Sequence, residues 1–341
     1  MVLPLPPLDW PSSSVLVTGG TGSFGQSFIS TLLSRYHPRR LAVLSRDELK
    51  QSEMKKLFPE SQVRYLLGDV RDPSRLHRAF TGVDIVVHAA ALKQVPACEQ
   101  DPFEAVQTNI MGARNVIDAA IDCGVTRVFA LSTDKASSPS TLYGATKLVA
   151  EKLFVQGNAY AGARPTRFSC ARYGNVLGSR GSVVPLFLEQ AKSGTVTVTD
   201  RRMTRFWLTL SQGVDFVCAC LERMEGGEVF VPKLPSSPVM ALARAVAPDA
   251  QLSYTGIRPG EKLHESLISE DESPNAYEFA DHYVIKPAYH SWRTDALPGG
   301  KPVFDRFSYR SDTNPRQIGS EGLKGLVDGH KDSTGHPVRE A

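Results

Sequence analysis

Tyr143 and Lys147 stand four residues apart inside a helical pattern, which puts both on one helix face. An ammonium there favours the neighbouring phenolate. A phenolate beside a nicotinamide can take the proton of a substrate hydroxyl while its carbon gives up hydride. Just upstream, Thr133, Asp134 and Lys135 add a hydroxyl, an acid and an amine. Simple hydroxyl oxidation needs only Thr133, or a serine near it, with Tyr143 and Lys147. The adjacent acid and amine allow further proton transfers. Oxidising C4 of a hexose makes the hydrogen at C5 acidic, because it becomes α to a carbonyl. A base can then remove it, an acid can protonate the C6 hydroxyl so that it leaves as water, and hydride can return to C6. That sequence is a 4,6-dehydration with no net use of cofactor. It requires Asp134 protonated and Lys135 neutral. A dry pocket penalises both charges and is expected to move the proton across; on a wet surface the same two residues would be an ordinary ion pair.

Such chemistry needs a dinucleotide and a scaffold to aim it. Thr18 to Gly25 places glycines at 19, 22 and 25, directly after an apolar run and opening a helical pattern. The first glycine allows the tight turn, the second lets the backbone approach a pyrophosphate, and the third lets helix and strand pack closely. Thr21, Ser23 and Phe24 lie inside this turn. Arg46 follows the second predicted strand, 21 residues after Gly25, where an NAD site usually carries an acid. Ser45, Arg46 and Lys50 suit a 2′-phosphate, so the expected cofactor is NADP, with Asp47 as a contrary sign. Asp69 and Val70 follow the third strand and can hold the adenine edge. Ala89, Ala90 and Ala91 follow the fourth, where small side chains let backbone run close to a cofactor.

Short buried runs at 14–18, 41–44, 63–67, 84–88, 127–131 and 167–173 alternate with helical patterns, notably 23–34, 103–122 and 142–159. Continuous apolar strands separated by helices predict a parallel sheet covered on both faces, that is, a doubly wound Rossmann α/β fold. The alternation stops after about residue 175. The expected division is a cofactor-binding unit at 12–174 and 206–231, a smaller C-terminal substrate domain at 175–205 and 232–290, and a variable segment at 291–341. Residues 1–14, with four prolines and no Lys or Arg, read as a loose arm, and 319–341 as a mobile tail. The 341 residues carry a net charge of +3, too small to point to nucleic acid as partner. No apolar run approaches the roughly 18 residues that span a bilayer, so no membrane partner is expected. Five cysteines without metal-ligand spacing predict reduced, mostly buried thiols of a cytoplasmic protein, and no metal.

Several runs extend this reading into a resemblance. Residues 45–54, His88 to Lys93, Thr108 to Gly112, Leu131 to Lys135, Tyr173 to Ser182, Arg202 to Trp207 and Arg258 to Glu265 closely resemble the C5-inverting UDP-N-acetylglucosamine 4,6-dehydratases. These belong to the extended short-chain dehydrogenases/reductases and open the route to pseudaminic acid. The similarity spans about 15–287. A related retaining group often lacks the tyrosine that stands here at Tyr143. The resemblance implies Asp134 as the acid for the C6 hydroxyl, Lys135 as the base at C5, and Tyr143 with Lys147 at C4. It implies that Lys93, Asn175, Thr199, Arg205, Arg258 and Glu261 line a UDP-N-acetylglucosamine site, with Lys93 also near the cofactor. Ser182, Val183 and Val184 would open a helix near the uridine. It further implies a homo-oligomer, a dimer or a hexamer built from dimers, paired through 103–122 and 142–159. One departure is Gln94, where the family commonly has His. A 4-epimerase would need Tyr143 but neither Asp134 nor Lys135, and a non-catalytic NADP-binding regulator would need none of them.

Overall fold

The computed structural model describes residues 5–179, 181–289 and 297–334. Its first half follows the alternation of the sequence: β1 (Ser14–Thr18), α1 (Ser23–Thr31), β2 (Arg40–Ser45), α2 (Glu48–Lys55), β3 (Arg64–Leu67), α3 (Pro73–Phe80) and β4 (Ile85–His88). Then come α4 (Val95–Gln100), α5 (Pro102–Val106), α6 (Gly112–Cys123), β5 (Arg127–Leu131), α7 (Leu142–Ala161) and β6 (Arg167–Ala171). β1, β4, β5 and β6 are buried along their whole length, which only a sheet covered on both faces achieves. The strands lie in the order β3-β2-β1-β4-β5-β6 and pair in parallel, with Thr18 level with His88 and Leu131 level with Ala171. Chain direction across the sheet reverses between β1 and β4, and the crevice beyond their carboxyl ends is where such folds bind ligands.

The helical pattern at 103–122 is interrupted. α5 and α6 are joined by a π-helical turn at Gln107–Met111, which turns Asn109 inward. Its carboxamide bonds both backbone groups of Leu92 (2.8 and 2.9 Å) and the Thr146 hydroxyl (3.0 Å). The loop after β4 is thereby tied to α7 one residue from Lys147.

The second half departs from the expected division. α9 (Leu210–Arg223) packs on α1, and β10 (Val229–Pro232) joins β6 in parallel, so this part of 206–231 does return to the large sheet. β9 (Thr204–Leu208) does not; it sits between β7 (Asn175–Val176) and β11 (Ser236–Pro238) in a separate small sheet. β14 (Ala276–Glu278) and β15 (His282–Ile285), expected in the smaller unit, instead extend the large sheet, β15 antiparallel to β10 and β14 antiparallel to β15, and β16 (Lys301–Pro302) closes its edge. Antiparallel addition needs only short connections, so no helical periodicity marked it. A second apolar core, including Phe187, Trp207, Leu242 and Leu323, lies under α8 (Val183–Ala191), α10 (Val239–Val246) and α11 (Ser320–Thr334).

Both predicted loose ends are partly ordered. Trp10 is buried and donates to Glu222 Oε1 at 2.9 Å, and the Pro6 carbonyl accepts from Arg127, so the arm docks on the sheet domain. Residues 320–334 form α11, with Leu323 and Val327 buried in the second core; 335–341 and 1–4 lie outside the described residues. The apolar spacing of Leu323 and Val327 was the signal, too short to stand out in a polar stretch. The five cysteines are unpaired, four of them buried.

Candidate active site

Gly19 leaves β1 with φ +67, and a Cβ there would lie 2.8 Å from the Ala90 backbone. Only glycine therefore lets the loop after β1 meet the loop after β4. Gly22 is the N-cap of α1 and makes no side-chain capping bond, so the helix start meets the cavity in the way that anion-binding helix N-termini do. From this point a cavity of about 1110 Å³ runs across the carboxyl edge of the sheet. That exceeds the roughly 300–1,000 Å³ of a single small-molecule site and gives room for two ligands. Thr21, Gly22, Ser23, Phe24 and Gly25 line one end with Ser45, Arg46 and Lys50. Asp69, Val70, Ala89, Ala90, Ala91 and Lys93 continue the wall. The residues present thus fit a dinucleotide.

At the β2 end, Ser45 Oγ meets Thr21 Oγ1 at 2.9 Å. Asp47 is occupied: its carboxylate caps α2 through the Lys50 N–H (3.0 Å) and pairs with Lys50 Nζ (2.8 Å). Each of its oxygens is thus engaged by Lys50, at the edge of the cavity it lines. Arg46 is half-exposed, 3.7 Å from Asp69 Oδ2. Asp69 itself is held by Arg71, whose hydrogen bonds more than offset the upward push of burial and leave its carboxyl below the usual range.

Thr133, Asp134 and Lys135 leave β5 in a single tight turn. Thr133 Oγ1 donates to Asp134 Oδ1 at 2.9 Å, and Lys135 Nζ donates to the same oxygen at 3.1 Å. Asp134 is buried, while the Lys135 side chain is 30% exposed, toward the cavity. Glu265 Oε1 lies 3.6 Å from Lys135 Nζ and 3.7 Å from Arg205 Nε. Burial opposes charge on Lys135, but Asp134 and Glu265 outweigh it and hold the amine above the usual lysine range. The neutral Lys135 expected from sequence is therefore not the form of the open site. The expectation counted one carboxylate; a second, Glu265, faces the amine.

Tyr143 is buried at the start of α7, and burial pushes its phenol up to about 12, with Lys135 and Thr133 acting in the opposite direction. Lys147, expected to favour the phenolate, instead donates to the Leu131 carbonyl at 2.7 Å, and burial lowers its pKa. Lys135 is the cation acting on Tyr143 in this structure. α7 starts this close to Lys135 because residue 144 is glycine: a Cβ there would overlap the Lys135 carbonyl oxygen.

On the far side, Asn175, Ser182, Val183, Arg205, Arg258 and Glu261 line the cavity. Two expected residues do not. Val184 is packed into the second core, because the turn of α8 points it inward. Thr199 lies off the cavity, its carbonyl accepting from Gly256 N at 3.0 Å. Arg180 lies outside the described residues. Arg205 is buried and donates to the carbonyls of Thr204, Leu263 and Lys262, so it also locks β9 to the 258–265 loop. Buried polar atoms without a hydrogen-bond partner concentrate along this wall: Thr108 Oγ1, Asp134 Oδ2, Asn175 Oδ1, Ser182 Oγ and Glu265 Oε2. Such orphans are rare in folded proteins and mark places built for a ligand or a proton. Sequence reasoning assigned no role to Glu265, Lys262, Trp207 or Asn109; Glu265 closes the run Arg258 to Glu265, but one acid among several in a Gly/Pro-rich stretch carries no further signal.

Among the described residues no helix is long and apolar enough to cross a membrane. Comparison with known proteins agrees with the geometry. The model of the family described as polysaccharide biosynthesis protein matches residues 15–287. The chain is 50% identical over 323 residues to the UDP-N-acetylglucosamine 4,6-dehydratase (inverting) of Campylobacter jejuni subsp. jejuni serotype O:23/36, covering 92% of this chain and 97% of that protein. It is 41% identical over 280 residues to the UDP-glucose 4-epimerase of Rickettsia conorii, covering 80% and 82%. The X-ray structure of Pen from Bacillus thuringiensis superposes with a TM-score of 0.88 at 37% identity, covering 95% of this chain and 99% of that one. With the family model matching residues 15–287 and half of the aligned residues identical over 92% of its length to the first of these relatives, this chain belongs to the polysaccharide biosynthesis protein family of extended short-chain dehydrogenases/reductases.

Proposed function

We propose that this protein is a C5-inverting UDP-N-acetylglucosamine 4,6-dehydratase, a hydro-lyase that forms UDP-2-acetamido-2,6-dideoxy-β-L-arabino-hex-4-ulose, the first step toward pseudaminic acid. The observation that carries this reading is the Asp134–Lys135 contact of 3.1 Å, in the cavity that Tyr143 also lines. The cofactor is a nicotinamide dinucleotide, NADP in preference to NAD, because Arg46 and Lys50 stand at the ribose end and Asp47 is tied up as a helix cap. When bound, it supplies the hydride acceptor for C4 and the hydride donor for C6.

The residues move protons around those two events. Tyr143 enters as the phenolate, a form that burial disfavours and the Lys135 charge favours, and takes the proton of the C4 hydroxyl. Lys135 takes the proton from C5, and the electron pair of that C–H bond passes onto the C4 carbonyl oxygen. Asp134 gives its proton to the C6 oxygen as the C6–O bond breaks and water leaves, while the enolate pair re-forms the C4 carbonyl and a C5=C6 double bond that the returning hydride meets at C6. Lys135, now an ammonium, returns a proton to C5 from the opposite face. The cycle leaves Tyr143 one proton richer and Asp134 one poorer. The Thr133 hydroxyl, bonded to Asp134 Oδ1, is placed to pass that proton back. Before C5 is attacked, the Lys135 proton must move to Asp134; substrate entry, by excluding water from the amine, favours the uncharged pair. Asn175, Ser182, Arg205 and Arg258 hold the nucleotide sugar from the C-terminal side, with Glu261 setting Arg258 at 3.3 Å. Self-association through α5–α6 and α7 accords with the exposure of Phe103 (83%) and Tyr160 (74%) on those helices.

The test follows the atoms. Substrate deuterated at C4 is expected to give product deuterated at C6, and reaction in D₂O to place solvent deuterium at C5, with ring couplings of the L-arabino isomer in the NMR spectrum. A 4-epimerase, the activity named for the Rickettsia relative, would leave C6 unlabelled.

A further inference from the structure

We infer that Glu265 is a positioning residue for the C5 proton transfer, holding the Lys135 amine and stabilising the ammonium that forms when Lys135 takes the C5 proton. This rests on the dehydratase reading and deepens it.

The argument starts from what the reaction demands of Asp134. To protonate the departing C6 oxygen it must be a neutral acid while Lys135 is becoming positive. A neutral carboxyl no longer balances an ammonium. Among the described residues Glu265 is the other carboxylate within 4 Å of Lys135 Nζ, at 3.6 Å. The remaining groups about the amine cannot take over. Arg205 and Lys262 are cations, and Tyr143 has just accepted the C4 proton. Glu261 pairs with Arg205 and Arg258 and, among the described residues, is not one of the carboxylates within 4 Å of the amine.

Glu265 is also costly to keep. It is 2% exposed, and its Oε2 has no hydrogen-bond partner. Its Oε1 contacts at 3.6 and 3.7 Å are Coulombic and too long for hydrogen bonds. A buried carboxylate with so little hydrogen bonding is poor for stability. Its backbone, by contrast, is firmly fixed. The Glu265 N–H donates to Ser311 Oγ at 3.0 Å, and its carbonyl accepts from Ser311 N at 2.9 Å. Ser311 Oγ meets Thr204 Oγ1 at 2.7 Å, next to Arg205. The fold therefore aims a sparsely bonded carboxylate at the amine and holds it there.

The test is Glu265→Gln, which removes the charge and keeps the shape, with Glu265→Asp as the conservative partner. In Glu265→Gln, oxidation at C4, read as nicotinamide absorbance on mixing with substrate, should persist. Solvent deuterium entering C5 should fall at least tenfold and kcat with it, while KM stays within about twofold. Loss of a carboxylate beside an ammonium lowers its pKa, so the limb of the kcat–pH profile belonging to the amine should move to lower pH by on the order of one unit. Glu265→Asp should recover part of both. An unshifted limb with wild-type C5 exchange overturns the inference. So does parallel loss of C4 oxidation and C5 exchange in a folded protein, which would make Glu265 structural. If the wild-type enzyme itself places no C4 deuterium at C6, the dehydratase reading fails, a result separate from either.

Discussion

Arg46 shows how one side chain sets the cofactor preference. It stands at the open end of β2, half-exposed and only loosely paired with Asp69, while the acid beside it is consumed by the α2 cap. A 2′-phosphate would give Arg46 a charge-assisted partner that a 2′-hydroxyl does not. Arg46→Ala is expected to remove about 1.5–3 kcal/mol of that contact, so the affinity ratio of NADP to NAD should fall roughly tenfold or more. Titration of both dinucleotides measures it, and an unchanged ratio would transfer the role to Lys50 or Ser45. At this scale the types of the reactive residues were readable in the chain, but their protonation was not. Lys135 as a neutral base and Lys147 as the partner of Tyr143 both assumed a pairwise geometry. The amine of Lys135 answers to Glu265, which lies 130 residues further along, and Lys147 is engaged by a β5 carbonyl.

Helix α7 must carry Tyr143 and Lys147 to the end of β5 and stop short of collision with Lys135. Thr141 caps it through the Gly144 N–H at 3.1 Å, and Gly144 lets its first turn lie against the Lys135 carbonyl. A methyl group there has nowhere to go, because the neighbouring atom is backbone. Gly144→Ala should therefore displace the first turn and Tyr143 with it. An error of about 1 Å in a reacting group can lower kcat on the order of 100-fold. Circular dichroism should remain close to that of the parent, which separates a displaced site from an unfolded chain; a fully active Gly144→Ala would show that the turn has slack. The strands and long helices were legible because burial on both faces leaves unbroken apolar runs. The π-helical turn at Gln107–Met111 was not, since one extra residue per turn hardly disturbs an apolar pattern while it redirects Asn109.

Across the whole molecule, Arg172 couples the parallel sheet to the segment that completes the site. It leaves the end of β6 fully buried, pairs with Glu151 of α7 at 2.7 Å and with Glu272 at 2.9 Å, and donates to the Leu267 carbonyl at 2.9 Å. Ser132 joins the same network through Glu151. Removing one member strands the others in the interior, so Arg172→Met is expected to destabilise the fold by about 3–5 kcal/mol, read from the midpoint and slope of urea unfolding. A loss under 1 kcal/mol would mean that water reaches the two glutamates. The parallel half of the fold, the glycine loop, and the presence of an acid and an amine after β5 were determined by the sequence alone, because each is written in neighbouring residues. The antiparallel extension by β14 to β16, the docking of α11, and the facing of Lys135 by Glu265 were decided only by tertiary structure. Those depend on which distant segments lie side by side, and the strength of a buried charge is set by neighbours in space rather than in sequence.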